Sequence, residues 1–136
     1  MVDLKAMIAK AKSADVSGQT VTVAVGDELV DISFAPVPGH VWVDLVAKCP
    51  PREGAARDKN VGYNTDAVAR VYPVDRITVS AEPVDPGTWG DLLDVLPSPS
   101  LSLIAAALWG LNQYEPQQRI AELGKAKAGG STRKRR

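Results

Sequence analysis

The chain has 136 residues, of which 45% are hydrophobic and 24% are charged, a balance that fits one soluble globular domain with a modest core. Residues 125–136 hold six of the sixteen basic residues and no acid, so this tail carries +6 and the body before it −6. An acidic body argues against a nucleic-acid-binding platform in the globular part, and the single cysteine, Cys49, excludes an intrachain disulfide.

The other bulk features indicate a soluble protein of a reducing cytoplasm. The N-terminus carries Asp3 and Lys5 and lacks the apolar core of a signal peptide. The longest apolar run, Leu103 to Leu111, is far shorter than the ~20 residues that span a bilayer. A lone cysteine also suits a reducing compartment. We therefore expect no membrane among the partners.

Two elements are predicted before residue 36. Residues 2–12 repeat apolar side chains at helical spacing from Leu4 to Ala11, which predicts a short helix. Residues 20–35 alternate between apolar and polar side chains, with a turn signal at Gly26-Asp27, which predicts a β-hairpin. An isolated hairpin is marginally stable in water, so its apolar face must lie against helices or another subunit.

Helices dominate the rest of the chain. The first of them stops at Pro50-Pro51, because proline lacks an amide hydrogen. Another begins at Asp85-Pro86, where aspartate serves as the N-cap and proline as the first helical residue. The predicted helices lie at about 40–48, 65–80, 86–96 and 100–112.

The C-terminal segment, residues 117–136, is predicted to be partly helical and then disordered from Gly124, because it has little to bury. Residues 1–116 are predicted to form a single globular domain. The predicted fold class is thus α+β: an N-terminal β-hairpin followed by a mainly α-helical domain with a disordered basic C-terminal tail.

A motif in the middle of the chain resembles a known family. It consists of a helix that carries Trp42, then Pro50-Pro51-Arg52-Glu53-Gly54, then Asp58, and finally Gly62-Tyr63-Asn64. This pattern resembles the tail assembly chaperones of long-tailed, siphovirus-type phages that infect actinobacteria. A weaker likeness extends over roughly residues 20–115.

Further matches and two departures accompany this motif. Glu82-Pro83 precedes a helix that carries Trp89, and a late helix ends in Leu111-Asn112, as the family pattern would have it. Cys49 stands where the pattern calls for a histidine. The second departure is the richness of Tyr72 to Ser80 in β-branched residues. The resemblance implies a helix over Val74 to Ser80, and the predicted helix at 65–80 follows it although Ile77-Thr78-Val79 favours a strand by propensity.

The function that the resemblance implies is that of a non-enzymatic assembly factor. Such a chaperone binds the tape measure protein, helps to deliver the tail tube protein, works in the host cytoplasm and is not expected in the mature virion. The family commonly has a second, longer form made by ribosomal frameshifting. Leu123-Gly124-Lys125 is compatible with a slippery codon run, so the longer form of this chain is an expected partner.

No residue pattern indicates catalysis, a metal or a cofactor. His40 and Cys49 are separated by about two helical turns, beyond the ~3 Å reach that a nucleophile and its base require. Neither residue has further ligands at metal-binding spacing, and Gly129-Gly130 lacks the context of a phosphate-binding loop. We therefore predict no enzyme activity and no catalytic, cofactor-binding or metal-binding residues.

The predicted partner-binding surface is centred on Trp109. A tryptophan on an apolar helical stripe is usually a core anchor, and Trp42 and Trp89 fit that interpretation. Trp109 lies off the face made by the leucine stripe of its helix, so it is available to a partner. Self-association is expected through Trp109 or the edge of the hairpin. The predicted contact residues are Trp109, Leu108, Leu111, Trp89 and Leu93.

The basic tail ends in Arg133, Lys134, Arg135 and Arg136. These residues either form a solvated end or make a salt-sensitive contact with nucleic acid or an acidic partner. Two alternative functions therefore stay open beside the chaperone. One is a small structural virion protein, such as a head–tail connector or tail terminator, and the other is a nucleic-acid-binding accessory protein that uses this tail.

Overall fold

The computed structural model of the protein describes residues 3–13 and 18–134. An antiparallel sheet in the order β1-β2-β3-β4 is combined with a larger set of helices, which confirms the α+β class. The strands are β1 Gln19–Val25, β2 Glu28–Phe34, β3 Ile77–Val79 and β4 Glu82–Pro83. The helices are α1 Leu4–Ser13, α2 Gly39–Ala47, α3 Ala56–Val61, α4 Thr65–Val71, α5 Pro86–Val95, α6 Ser98–Trp109 and α7 Glu115–Lys134.

The hairpin predicted over residues 20–35 is confirmed. Strands β1 and β2 pair antiparallel from Gln19 opposite Phe34 to Val25 opposite Glu28. The two-residue turn begins at Gly26, whose φ of +62° a residue with a Cβ atom rarely adopts. The alternation therefore puts one face of the hairpin in the core and leaves the other face exposed.

The helix predicted over 65–80 is wrong beyond Val71. Helix α4 ends there, ahead of Pro73, and a single 3₁₀ turn leads into strand β3. Ile77 and Val79 oppose Phe34 and Ile32 of β2, and β4 then pairs with β3. The β-branched side chains of this segment thus follow their propensity, because the free edge of β2 supplies a partner strand.

The core lies between the buried face of the sheet and helices α2, α4, α5 and α6. Phe34 stands at its centre and meets the rings of Tyr72 and Trp89 edge-on, with centroids 6.3 and 5.9 Å away. The indole of Trp89 also donates a hydrogen bond to the carbonyl oxygen of Ala69 at 2.9 Å. Trp42 and Trp89 are both buried, as expected for core anchors.

Helices α6 and α7 are joined by one π-helical turn, Gly110–Tyr114. Within this turn, Asn112 accepts a hydrogen bond from the amide of Val37 and donates one to the hydroxyl of Tyr72, both at 3.0 Å. The π-helical turn thereby directs the Asn112 side chain at both Val37 and Tyr72.

Helix α7 continues past Gly124, where the sequence predicts the end of regular structure. Residues 115–126 are all exposed, so the helix rests on the helix-favouring Gln, Ala, Leu, Lys and Arg residues of the segment rather than on burial. Arg133 and Lys134 lie within this helix. Arg135 and Arg136 lie outside the described residues.

Candidate functional site

A buried carboxylate organises the segment after Pro50-Pro51. Asp58 of α3 has no exposed surface, and its oxygens accept hydrogen bonds from the backbone amide, Nε and Nη2 of Arg52 at 2.8–3.0 Å. They also accept bonds from the amide and hydroxyl of Thr65, both at 3.3 Å. The carboxylate therefore ties the proline loop, α3 and the start of α4 together.

The charge on this carboxylate is strongly favoured. The Arg52 guanidinium holds the pKa of Asp58 well below its ordinary value, and the hydrogen bond to Asp58 raises the pKa of Arg52 in turn. A second ion pair joins Arg52 to Asp66 at 3.0 Å on the surface. Arg52 is thus bonded to both carboxylates. The buried charge of Asp58 requires such a partner.

This arrangement places Tyr63 between two helices. Gly62 ends α3 in the left-handed conformation, with φ of +87°. Asn64 then caps α4 by accepting a hydrogen bond from the amide of Ala67 at 3.1 Å. Tyr63 lies inward between these two caps, with its ring edge-on to Trp42 at a centroid distance of 5.5 Å.

Trp109 is the last residue of α6 and lies near the Trp42–Tyr63 pair. Its side chain is half-buried, and its ring lies 5.3 Å from the ring of Tyr114. One turn further on, Gln113 accepts a hydrogen bond from the indole nitrogen of Trp42 at 3.2 Å. The π-helical turn therefore brings Trp109 next to the Trp42–Tyr63 pair.

Trp109 and Tyr63 form the boundary between two shallow grooves. We call the two grooves together the Trp109 site. The first groove, of about 320 Å³, is bounded by Trp42, Val46, Asn60, Val61, Gly62, Tyr63, Trp109, Gln113 and Gln117. The second, of about 230 Å³, is bounded by Arg57, Val61, Tyr63, Thr65, Ser102, Ala105, Ala106 and Trp109. Apolar walls with polar residues among them are typical of a surface that takes up side chains of another molecule.

The Tyr63 hydroxyl is an unsatisfied polar group at this site. It is buried and makes no hydrogen bond to any described residue. Burial raises the pKa of Tyr63 to about 12, so the hydroxyl keeps its proton and can both donate and accept.

No family model, curated protein or solved structure matches this chain.

The structure separates the predicted partner-binding residues into two groups. Trp109 is half-buried and borders both grooves, so it stays a candidate contact residue. The other four are buried in the core, at 1–3% exposure, which corrects the prediction that they contact a partner: Leu108, Leu111, Trp89 and Leu93. Their stripes cover the sheet and the neighbouring helices, so a partner cannot reach them in this fold.

Cys49 and clusters of possible metal ligands are the groups that could carry chemistry. Cys49 is buried, and this burial raises the pKa of its thiol, which disfavours the reactive thiolate. No three His, Cys, Asp or Glu side chains come together as a metal site within residues 3–13 and 18–134. No helix in these same ranges has both the length and the apolar character to cross a membrane.

Sequence reasoning missed Tyr63 as a site residue. In the sequence, Tyr63 stands out only as part of the Gly62-Tyr63-Asn64 motif, which indicates the end of a loop. The available signal is an aromatic residue directly after a helix-ending glycine, a position where a hydrophobic side chain often folds back on the helix.

Replacing Tyr63 with phenylalanine should leave the free energy of unfolding unchanged or raise it by up to about 1 kcal/mol, because it removes an unsatisfied buried hydroxyl. The matched change is Tyr72→Phe. The Tyr72 hydroxyl donates to the carbonyl oxygen of Ala35 at 2.7 Å and accepts from Asn112 at 3.0 Å, so its loss should cost about 1–2 kcal/mol. Urea denaturation of both variants checks the contrast, and an equal loss at Tyr63 would contradict it.

Proposed function

We propose that this protein is a phage tail assembly chaperone that binds apolar helical segments of the tape measure protein at the Trp109 site. One observation carries the proposal: a half-buried tryptophan divides two grooves, beside a buried tyrosine hydroxyl with no partner among the described residues. Tryptophan and tyrosine in such settings are the residues that most often dominate binding energy.

The geometry favours a helical partner over an extended one. Apolar side chains three or four positions apart on a helix point in the same direction, and two of them could enter the two grooves on either side of Trp109. This is the helix-in-groove mode of recognition.

The sequence resemblance supports the same proposal. Its central motif, from Pro50 to Asn64, builds one wall of the Trp109 site through the Arg52–Asp58 pair, Gly62 and Tyr63. The motif thus positions a binding surface. In the proposed role the protein covers the tape measure protein, helps to deliver the tail tube protein in the host cytoplasm, and leaves before the virion matures.

Co-expression tests this role. We expect the tape measure protein encoded beside this chain to be mostly insoluble alone and soluble when the two are made together. Equal solubility with and without this chain would remove the chaperone role. Stoichiometric amounts of the chain in purified mature particles would instead favour a structural virion protein.

The proposal extends to a longer form of the chain. Leu123-Gly124-Lys125 lies within helix α7, so a frameshift there would keep the first half of the helix and replace its second half. The nucleotide sequence over these three codons tests this extension, because a slippery heptamer is required there.

A further inference from the structure

The two edges of the sheet differ in their ability to accept another strand. At one edge, β4 has only two residues, and one of them is Pro83, which has no amide hydrogen. At the other edge, β1 has seven residues with neither proline nor a charged side chain. Edge strands usually carry charges or proline that prevent pairing, and β1 has neither; within residues 3–13 and 18–134 no other strand pairs with its outer side.

The register identifies the backbone groups that face outward from β1. On β2, Asp31 and Ala35 bond toward the β3 side, through Ser80 N to Asp31 O at 2.8 Å and Ala35 N to Arg76 O at 2.9 Å. Residues of the other parity on β2, such as Ile32, therefore bond to β1. Ile32 opposes Val21, so Val21 and every second residue of β1 on either side of it bond to β2. The alternate residues direct their backbone amides and carbonyls outward, namely Thr20, Thr22 and Ala24.

We infer that a second copy of this chain pairs with β1 in antiparallel orientation about a twofold axis at Thr22. In that register Thr22 opposes its own counterpart and Thr20 opposes Ala24 of the other copy. Every outward amide and carbonyl of the three residues then has a partner. The two four-stranded sheets become one continuous sheet.

The strand is complementary to itself on both faces. The Thr20, Thr22 and Ala24 side chains are exposed and bring no like charges together across the axis. On the other face, Val21 meets Val23 of the second copy and continues the apolar layer. Because β4 blocks the opposite edge, the pairing closes at two copies and does not propagate into a fibre.

An exposed leucine lies on the side of α6 that borders this edge. Gly110 lies against the side chain of Gln19, the first residue of β1. Leu103 precedes Gly110 by about two helical turns and so shares its face of the helix, yet it is 49% exposed. A second copy on β1 would cover apolar surface that the single chain leaves in water.

Sedimentation of the full chain tests the inference. We expect a concentration-dependent mass of twice the 14.4 kDa of one chain. Thr22→Pro should return the mass to that of the single chain while the circular dichroism spectrum is kept, because the outward amide it removes makes no bond to β2. Trp109→Ala should leave the dimer intact, since this pairing does not depend on the proposed function. A wild-type monomer, a larger oligomer or a dimeric Thr22→Pro variant would overturn the inference.

Two double variants test the register and do not depend on tolerance of a proline. Thr20→Lys with Ala24→Lys places like charges opposite each other, and we expect the dimer to weaken by about tenfold and to recover in salt. Thr20→Lys with Ala24→Glu places opposite charges at the same positions and should keep the wild-type affinity or exceed it. Equal affinities of the two variants would overturn the proposed register.

Discussion

Replacing Asp58 with alanine should lower the free energy of unfolding by several kcal/mol, at about 1–3 kcal/mol for each buried donor that loses its acceptor. The substitution removes a carboxylate with no exposed surface and leaves the amide of Arg52 and the amide and hydroxyl of Thr65 without their acceptor. Such a loss is a large part of the roughly 5–15 kcal/mol that typically stabilises a small domain. Urea denaturation followed by circular dichroism measures it.

The matched control is Asp66→Ala. Asp66 pairs with the same guanidinium at 3.0 Å, but both side chains of this pair are partly exposed, so its loss should cost no more than about 1 kcal/mol. If the two variants lose the same stability, burial of Asp58 is not what makes its ion pair important.

Acid should remove the same contribution. The pKa of Asp58 is lower in the folded chain than its ordinary value of 3.8, so its stabilising effect is complete above about that pH. The effect is then lost as the pH falls toward the folded-state pKa. The wild-type chain should therefore lose more stability below about pH 4 than the Asp58→Ala variant does, which acid titrations of both would show.

The elements that could be predicted from the sequence have local signals. The hairpin follows from alternation around Gly26, and the start of α5 follows from Asp85, which accepts a hydrogen bond from the amide of Thr88 at 3.0 Å as an N-cap does. Each of these signals depends on residues a few positions apart. No knowledge of the tertiary structure is needed to interpret them.

Strand β3 and helix α3 depend on distant contacts. Three residues, Ile77–Val79, form a strand only because β2 offers them a free edge. Helix α3 is short and charged, without apolar periodicity, and Asp58 is buried within it through bonds to residues outside the helix. The sequence pattern around Asp58 describes a solvated loop, because a buried ion pair cannot be recognised before its partner is placed.

From the sequence, Trp109 could be predicted as a residue of the candidate site, but the other residues that bound the grooves could not. Periodicity shows which residues share a helix face, but it does not show whether the core or the solvent covers that face. For this reason Leu93 and Leu108 are on the predicted partner surface although they are buried. The unsatisfied hydroxyl of Tyr63 depends on everything packed around the ring and has no counterpart in the sequence.

Under the proposed function, replacing Trp109 with alanine should weaken binding of the tape measure protein by about 30-fold or more, the equivalent of about 2 kcal/mol for a central tryptophan. The substitution removes the ridge between the two grooves and its contact with Tyr114. Calorimetric titration with peptides that span apolar helical segments of a tape measure protein measures the change. The control is Val95→Ala, an exposed apolar residue at the end of α5, which should bind like the wild type.

A second variant separates lost binding from lost folding, because Trp109 also packs against the core. Ala106 bounds the second groove and is exposed, so Ala106→Glu brings a charge into that groove without removing any core contact. We expect this variant to melt like the wild type and still bind at least about tenfold more weakly, since burying an unpaired charge against an apolar partner is costly. Normal binding by Ala106→Glu, together with a lower melting temperature for Trp109→Ala, would make Trp109 a packing residue and place the partner surface elsewhere on the chain.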